Sequence, residues 1–347
     1  MKNVLTILFT IALLTLPALA AEEGVGLRVA VVDSGISSAV VAEERIAPGR
    51  SYIRPQDGTE DRLGHGTAVA AVIVGSEPAR LGGLCPTATL VPLVYCSADE
   101  DGREVSGGSD MAAQAIRDAV DEYGCRIINV SSGSLTGSGA LRDAADYAAS
   151  RGVLIVASAG NHELTDPGAV YYPGGYESVL CVGACDAEGR AAPFSQENDT
   201  VDLLAPGTDL RLASLRGKRY RGEGTSFAAA YVTGVAAQLW THHPDWTADA
   251  VRGALLAAAR TVDGRPVLDA QALSVWSAAP AGTGGFSDVP SGAYYAEAAA
   301  WAAEQGVTAG MKDGTFRPDG ACTRAQIVTF LWRAAGSPAP VGTGAFS

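Results

Sequence analysis

Short runs of apolar residues recur along the chain at "RVAVV" (28–32), "ATLVPLVY" (88–95), "RIINV" (126–130), "GVLIVAS" (152–158), "SVLCVGA" (178–184) and "VDLLA" (201–205). None alternates cleanly between apolar and polar positions, so each reads as a strand covered on both faces. Between or after them lie segments with helical spacing, 109–122 and 139–150, and a longer run of small residues, "FAAAYVTGVAAQLW" (227–240). Strands buried on both faces need crossover helices above and below. The pattern therefore predicts an α/β fold, a doubly wound, mainly parallel sheet flanked by helices, plus a small helical C-terminal module.

The ends of the chain read differently. Lys2 precedes "VLTILFTIALLTLPALA", too short to span a bilayer comfortably and closing on the small-residue pattern Ala18-Leu19-Ala20. Residues 1–20 are therefore expected to be a signal peptide, and the mature chain to lie outside the cytoplasm. No later run is long enough for a transmembrane segment. Aperiodic Ala, Gly and Pro mark linkers at 277–285 and from 336 onward, and "GTGGFS" at 282–287 returns as "GTGAFS" at 342–347. This divides the remainder into a large domain over 24–276, a linker, a module over 286–335, and a linker with the start of a second, truncated repeat over 336–347.

A formal net charge of −13 changes the list of partners. Such a surface repels a phosphate backbone, so nucleic acid is not expected. The six Cys show no paired C-x-x-C metal spacing. Cys181 and Cys185, four positions apart in a strand-like run, would stand about 13 Å apart and cannot bond each other. Two readings stay open for the rest, buried free thiols or one or two bridges, with Cys85 and Cys125 as a candidate pair.

In a doubly wound sheet, ligands bind beyond the carboxyl ends of the strands. Asp33 follows the first run, Ser131-Ser132-Gly133 the third, and Asn161 the fourth by way of Ala159-Gly160. His65, flanked by Gly64 and Gly66, opens a helix of small apolar residues, and Ser226, led in by Gly224 and Thr225, opens another. A Ser at a helix entrance is ordinarily an N-cap, and a His there a capping or core residue. Taken together, however, these residues supply a nucleophile, a base, a carboxylate to orient it and an amide donor beside a helix N-terminus, in the order Asp, His, Asn, Ser.

"VAVVDSGI" (29–36), "GHGTAVAAV" (64–72), "NVSSGS" (129–134), "VASAGN" (156–161) and "GTSFAAAYVTGVAAQL" (224–239) resemble the successive catalytic blocks of the subtilisin-like serine proteases, over about residues 27–260. The resemblance implies an exposed Ser226 as nucleophile, His65 as base, Asp33 as its orienting partner and Asn161 with the Ser226 amide as oxyanion hole, acting without a cofactor on a peptide or protein substrate. It further implies that residues 131–133 (Ser131, Ser132, Gly133) pair with an extended peptide, with Gly107 on the opposite side of the cleft. Tyr171 would floor the first specificity pocket and shorten it to suit small residues.

The chain also departs from that family. About a dozen residues separate the expected cleavage site from Asp33, leaving no room there for the usual pro-segment. "VGSEPARLGG" (74–83) offers two candidate oxygens, in Ser76 and Glu77, too few for Ca²⁺, so no metal is expected there. Ala230 replaces the usual Pro, with little effect expected on the chemistry.

"FSDV", "WAAEQGVTAG", "GTFRPDG" and "TRAQ" within 286–335 resemble a surface-layer homology module, which implies tethering to cell-wall polysaccharide with Arg324 as the anion fork. His242 and His243, before Pro244, read as solvated groups at a helix C-terminus. The expectation is a secreted, wall-tethered serine endopeptidase. The alternatives are a catalytically inactive surface protein, which has no reason to keep all four site residues, and an esterase of the α/β-hydrolase type, whose G-x-S-x-G elbow is absent around Ser226.

Overall fold

The computed structural model describes residues 26–268 and scattered positions between 289 and 330. The expected signal segment, both linkers, Cys322 and Arg324 lie outside the described residues.

The six apolar runs become β1 (Arg28–Asp33), β3 (Thr89–Val94), β6 (Ile127–Val130), β7 (Leu154–Ser158), β8 (Val179–Cys185) and β9 (Leu203–Pro206). With β2 (Arg50–Ser51), β12 (Ala259–Val262) and β13 (Arg265–Leu268) they form one sheet in the order β12-β13-β9-β8-β7-β6-β1-β3-β2. All neighbours run parallel except β12 against β13. The chain leaves β1 toward β3 on one side and returns to β6 on the other, so the order of strand addition reverses beside β1 while the strands stay parallel. Crevices at that point are where such sheets place their sites.

Side chains along β1 divide between two cores. Val29 and Val31 enter one, shared with α1 (His65–Val74), α4 (Thr225–His242) and α5 (Ala248–Ala257); Ala30 and Val32 enter the other, shared with α2 (Gly108–Asp121) and α3 (Gly139–Ser150). Continuous apolar runs were needed because each strand must satisfy both layers. α4 is apolar on nearly every side because it is the central helix, with Trp240, Leu239 and Val232 almost wholly buried. Ser138 caps α3 by accepting the Leu141 N–H at 3.1 Å, and Thr247 caps α5 through Ala250 N–H at 3.2 Å.

Three expectations need correction. Cys85 and Cys125 are both buried and free, because one lies in the α1/α4 core and the other in the α2/α3 core, with the sheet between them. Cys96, Cys181 and Cys185 are also buried free thiols. His242 is exposed at the end of α4 as expected, but His243 is half-buried and stacks on Trp246 with ring centroids 4.2 Å apart. The third concerns Ser226, which is only 8% exposed. The resemblance implied an open nucleophile, whereas the helix buries most of its side chain.

Two antiparallel hairpins complete the fold, β4 (Cys96–Ala98) with β5 (Glu104–Ser106) and β10 (Leu210–Ala213) with β11 (Arg219–Gly222). Among the described residues no helix is long and apolar enough to cross a membrane.

Candidate active site

Asp33 is the last residue of β1 and is 1% exposed. A buried carboxylate needs partners. It accepts the Ser34 N–H at 2.7 Å, and both its oxygens lie 2.9 Å from His65 Nδ1. The Asp33 carboxylate raises the pKa of His65 above its ordinary value by favouring the imidazolium; desolvation opposes this, and Asp61 and Glu104 add to the rise.

His65 is the first residue of α1, after Gly64 at φ 91°. The contact with Asp33 depends on Gly66, where a Cβ would stand 2.3 Å from Gly35 O and 3.1 Å from Asp33 Oδ1. What holds this corner is Asp61, a residue that the sequence reading passed over. Its Oδ1 accepts from Ser34 Oγ, Leu63 N and Gly64 N, and its Oδ2 from Thr67 N and Thr67 Oγ1, at 2.7–2.9 Å. The side chain thus caps α1 from four residues ahead of His65. Its signal was a lone acidic residue before a helix, out of register with the usual N-cap position.

Ser226 is the second residue of α4, behind an N-cap at Gly224. This excludes the capping reading, because its Oγ donates to the Ser131 carbonyl at 2.8 Å instead of accepting a helix N–H. Ser131 Oγ returns a bond to the Ser226 carbonyl at 2.8 Å, and a buried chain runs on through Asn129 Nδ2 to Ser131 Oγ and from Thr233 Oγ1 to Asn129 Oδ1. Phe227, the next residue, packs on His65 with ring centroids 5.7 Å apart. The N-termini of α1 and α4 therefore bring His65 and Ser226 to one place.

Asn161 lies beyond β7 and is exposed. Its Oδ1 accepts both Thr225 N–H, at 2.8 Å, and Thr225 Oγ1–H, at 2.9 Å. Two donors on one atom leave the amide NH₂ for the cleft, where Nδ2 lies 3.7 Å from the position of a Cβ on Gly224. Thr225 therefore orients Asn161, a role no sequence motif had assigned to it.

The flanking residues divide. Ser131 is 2% exposed, so its side chain faces the core and not a ligand; Ser132 is half-buried, and Gly133 is exposed. Ser132 Oγ bonds the hydroxyl of Tyr95, whose burial pushes its pKa up. Gly107 N–H donates to Tyr95 O at 2.7 Å, so Tyr95 links the β5–α2 junction to Ser132 through its two ends. Tyr171 lies between two walls. A Cβ on Gly160 would fall 2.5 Å from its ring, and one on Gly133 3.4 Å from its Cβ. Its hydroxyl bonds His162 Nδ1 at 2.9 Å, and the two rings stack with centroids 5.6 Å apart.

The model of the Subtilase family matches residues 24–283, and that of the S-layer homology domain matches residues 285–328. The thermostable alkaline protease of Halalkalibacterium halodurans is 36% identical over 231 residues, covering 66% of this chain and 61% of that protein. Subtilisin Savinase of Lederbergia lenta is 34% identical over 234 residues, covering 67% of this chain and 82% of that protein. The chain thus spans about six-tenths of the first relative's length. Among solved structures, a mutant of the protease domain of PatA matches with TM-score 0.63 and 28% identity over 74% of this chain and 98% of that one. A cold adapted subtilisin-like serine proteinase matches with TM-score 0.63 and 25% identity over 71% and 89%.

Proposed function

The chain belongs to the subtilase family, and from that premise we propose that it is a secreted, cell-surface-tethered serine endopeptidase working through Asp33, His65 and Ser226 with Asn161 in the oxyanion hole. The observation that carries the reading is the buried Asp33 carboxylate 2.9 Å from His65 Nδ1, at a helix end packed against the one that bears Ser226. That contact fixes the imidazole tautomer and leaves Nε2 as the base.

Rotation about χ1 releases Ser226 Oγ from the Ser131 carbonyl toward Nε2. Oγ then attacks the scissile carbonyl, His65 takes its proton and later passes it to the leaving amine, and Asp33 stabilises the imidazolium. Negative charge on the carbonyl oxygen falls between Asn161 Nδ2 and the Ser226 N–H. The latter lies in the first turn of α4, where no carbonyl four residues back is in the helix to receive it. Residues 131–133 and Gly107 flank an extended peptide by backbone pairing, and once the serine has turned the freed Ser131 carbonyl is an acceptor for it. Tyr171 limits the first pocket to small side chains. The S-layer homology match supports cell-surface association, and Arg324 is the residue proposed to grip an anionic wall polysaccharide.

Fluorophosphonate labelling of the purified protein tests the reading. Labelling lost in both Ser226→Ala and His65→Ala is expected. Folded wild-type protein that does not label would favour the inactive surface protein instead.

A further inference from the structure

The β10–β11 hairpin concentrates positive charge in an acidic protein. The chain has 25 Lys and Arg against 38 Asp and Glu, yet residues 211–221 hold Arg211, Arg216, Lys218, Arg219 and Arg221 with no acidic residue. All five are exposed. Arg221 pairs with Asp209, but Arg211, Arg216, Lys218 and Arg219 form no ion pair among the described residues. Arg211 and Arg221 stand directly opposite in the ladder, an arrangement in which like charges repel. Nothing in the packing requires this crowding. Leu212 and Ala213 are the residues of this hairpin that are wholly buried.

Both ends of the hairpin are tied to the candidate active site. At its tip, Leu215 Cγ lies 3.2 Å from where a Cβ on Gly64, the residue before His65, would be, and Gly217 rests against Pro78. The second strand ends at Gly222, four residues before Ser226. The turn is ordered by two backbone bonds of 2.9 Å, in which the Ser214 N–H donates to Lys218 O and the Gly217 N–H donates to Ser214 O. The cations therefore stand on the flank of His65, the residue that hands a proton to the departing amine.

Resting on the endopeptidase reading, we propose that this hairpin docks acidic side chains of the protein substrate on the leaving-group side of the scissile bond. Charge complementarity at an exposed rim raises the encounter rate and makes it salt-dependent.

The test compares kcat/KM for two peptides that share a cleavable core, one carrying Asp and Glu beyond the scissile bond and the other Asn and Gln. With the full chain at low ionic strength, the acidic peptide should be cleaved about ten-fold faster. The preference should vanish in 0.5 M salt (about a 4 Å screening length) and in a triple variant with Arg216→Gln, Lys218→Gln and Arg219→Gln. The triple variant should keep the wild-type rate of fluorophosphonate labelling, so loss of the dock and loss of the catalytic reading give different results. Equal cleavage of the two peptides by the wild type overturns the proposal. So does a triple variant that keeps the preference, or one whose only loss is binding to an anionic polysaccharide, which would make the hairpin a wall contact.

Discussion

At the scale of single residues, the consequences centre on His65 and Tyr171. Asp33 raises the pKa of His65, with Asp61 and Glu104 adding to the effect. The base must be neutral to act, so kcat/KM is lost as pH falls through that raised value, and the acid limb of the profile should lie above 6.5. Replacing Asp33 with Asn removes the largest cause of the shift. The limb should move down in pH while the plateau falls by about 10⁴; an unmoved limb in Asp33→Asn would show that some other group titrates there. Tyr171 is a question of volume, since its ring occupies the space over Gly160. Tyr171→Ala should raise kcat/KM for substrates with Phe before the scissile bond by about ten- to a hundred-fold relative to those with Ala. A peptide library in which the wild type already cleaves after large aromatics would refute the plugged pocket.

At the scale of elements, α1 owes its placement to one carboxylate. Asp61→Ala removes the acceptor for three backbone N–H groups and two hydroxyls around the start of the helix. A lost cap together with buried donors left without partners should cost about 2–4 kcal/mol, read as a lower urea midpoint at unchanged slope. Asp61→Asn keeps one acceptor oxygen and should fall between the two, whereas a variant as stable as wild type would mean that the loop re-forms the cap elsewhere. This element also shows what the sequence could convey. The strands β1, β3, β6, β7, β8 and β9 were legible because burial on both faces leaves continuous apolar runs, and α2 and α3 because their amphipathic spacing persists over several turns. β11 reads Arg-Tyr-Arg-Gly and β5 Glu-Val-Ser, hairpin strands too short and polar to stand out from loops. The positions of Asp33, His65, Ser226 and Asn161 were legible from their blocks, but Asp61 and Thr225 were not. Their work is to hold other site residues through contacts that only the folded chain brings together.

At the scale of the whole molecule, the two core clusters on the two faces of the sheet draw their described residues from between 27 and 268. The S-layer homology match begins at 285, and among the described residues none from it enters the hydrophobic layers that hold the sheet and its helices. Burial of apolar surface is the dominant favourable term in folding, so a chain ending at residue 276 should keep its stability and its labelling rate. What it should lose is the wall. In a pelleting assay with purified cell walls carrying their polysaccharide, the full chain should sediment and the truncated one stay in solution. Arg324→Ala in the full chain should weaken sedimentation without changing labelling, because an Arg fork grips an anionic sugar where Ala offers nothing. A truncated chain that still sediments would place the tether within the peptidase domain, and the cationic hairpin is the first surface there to test, since salt would release it while leaving a packed polysaccharide site largely bound.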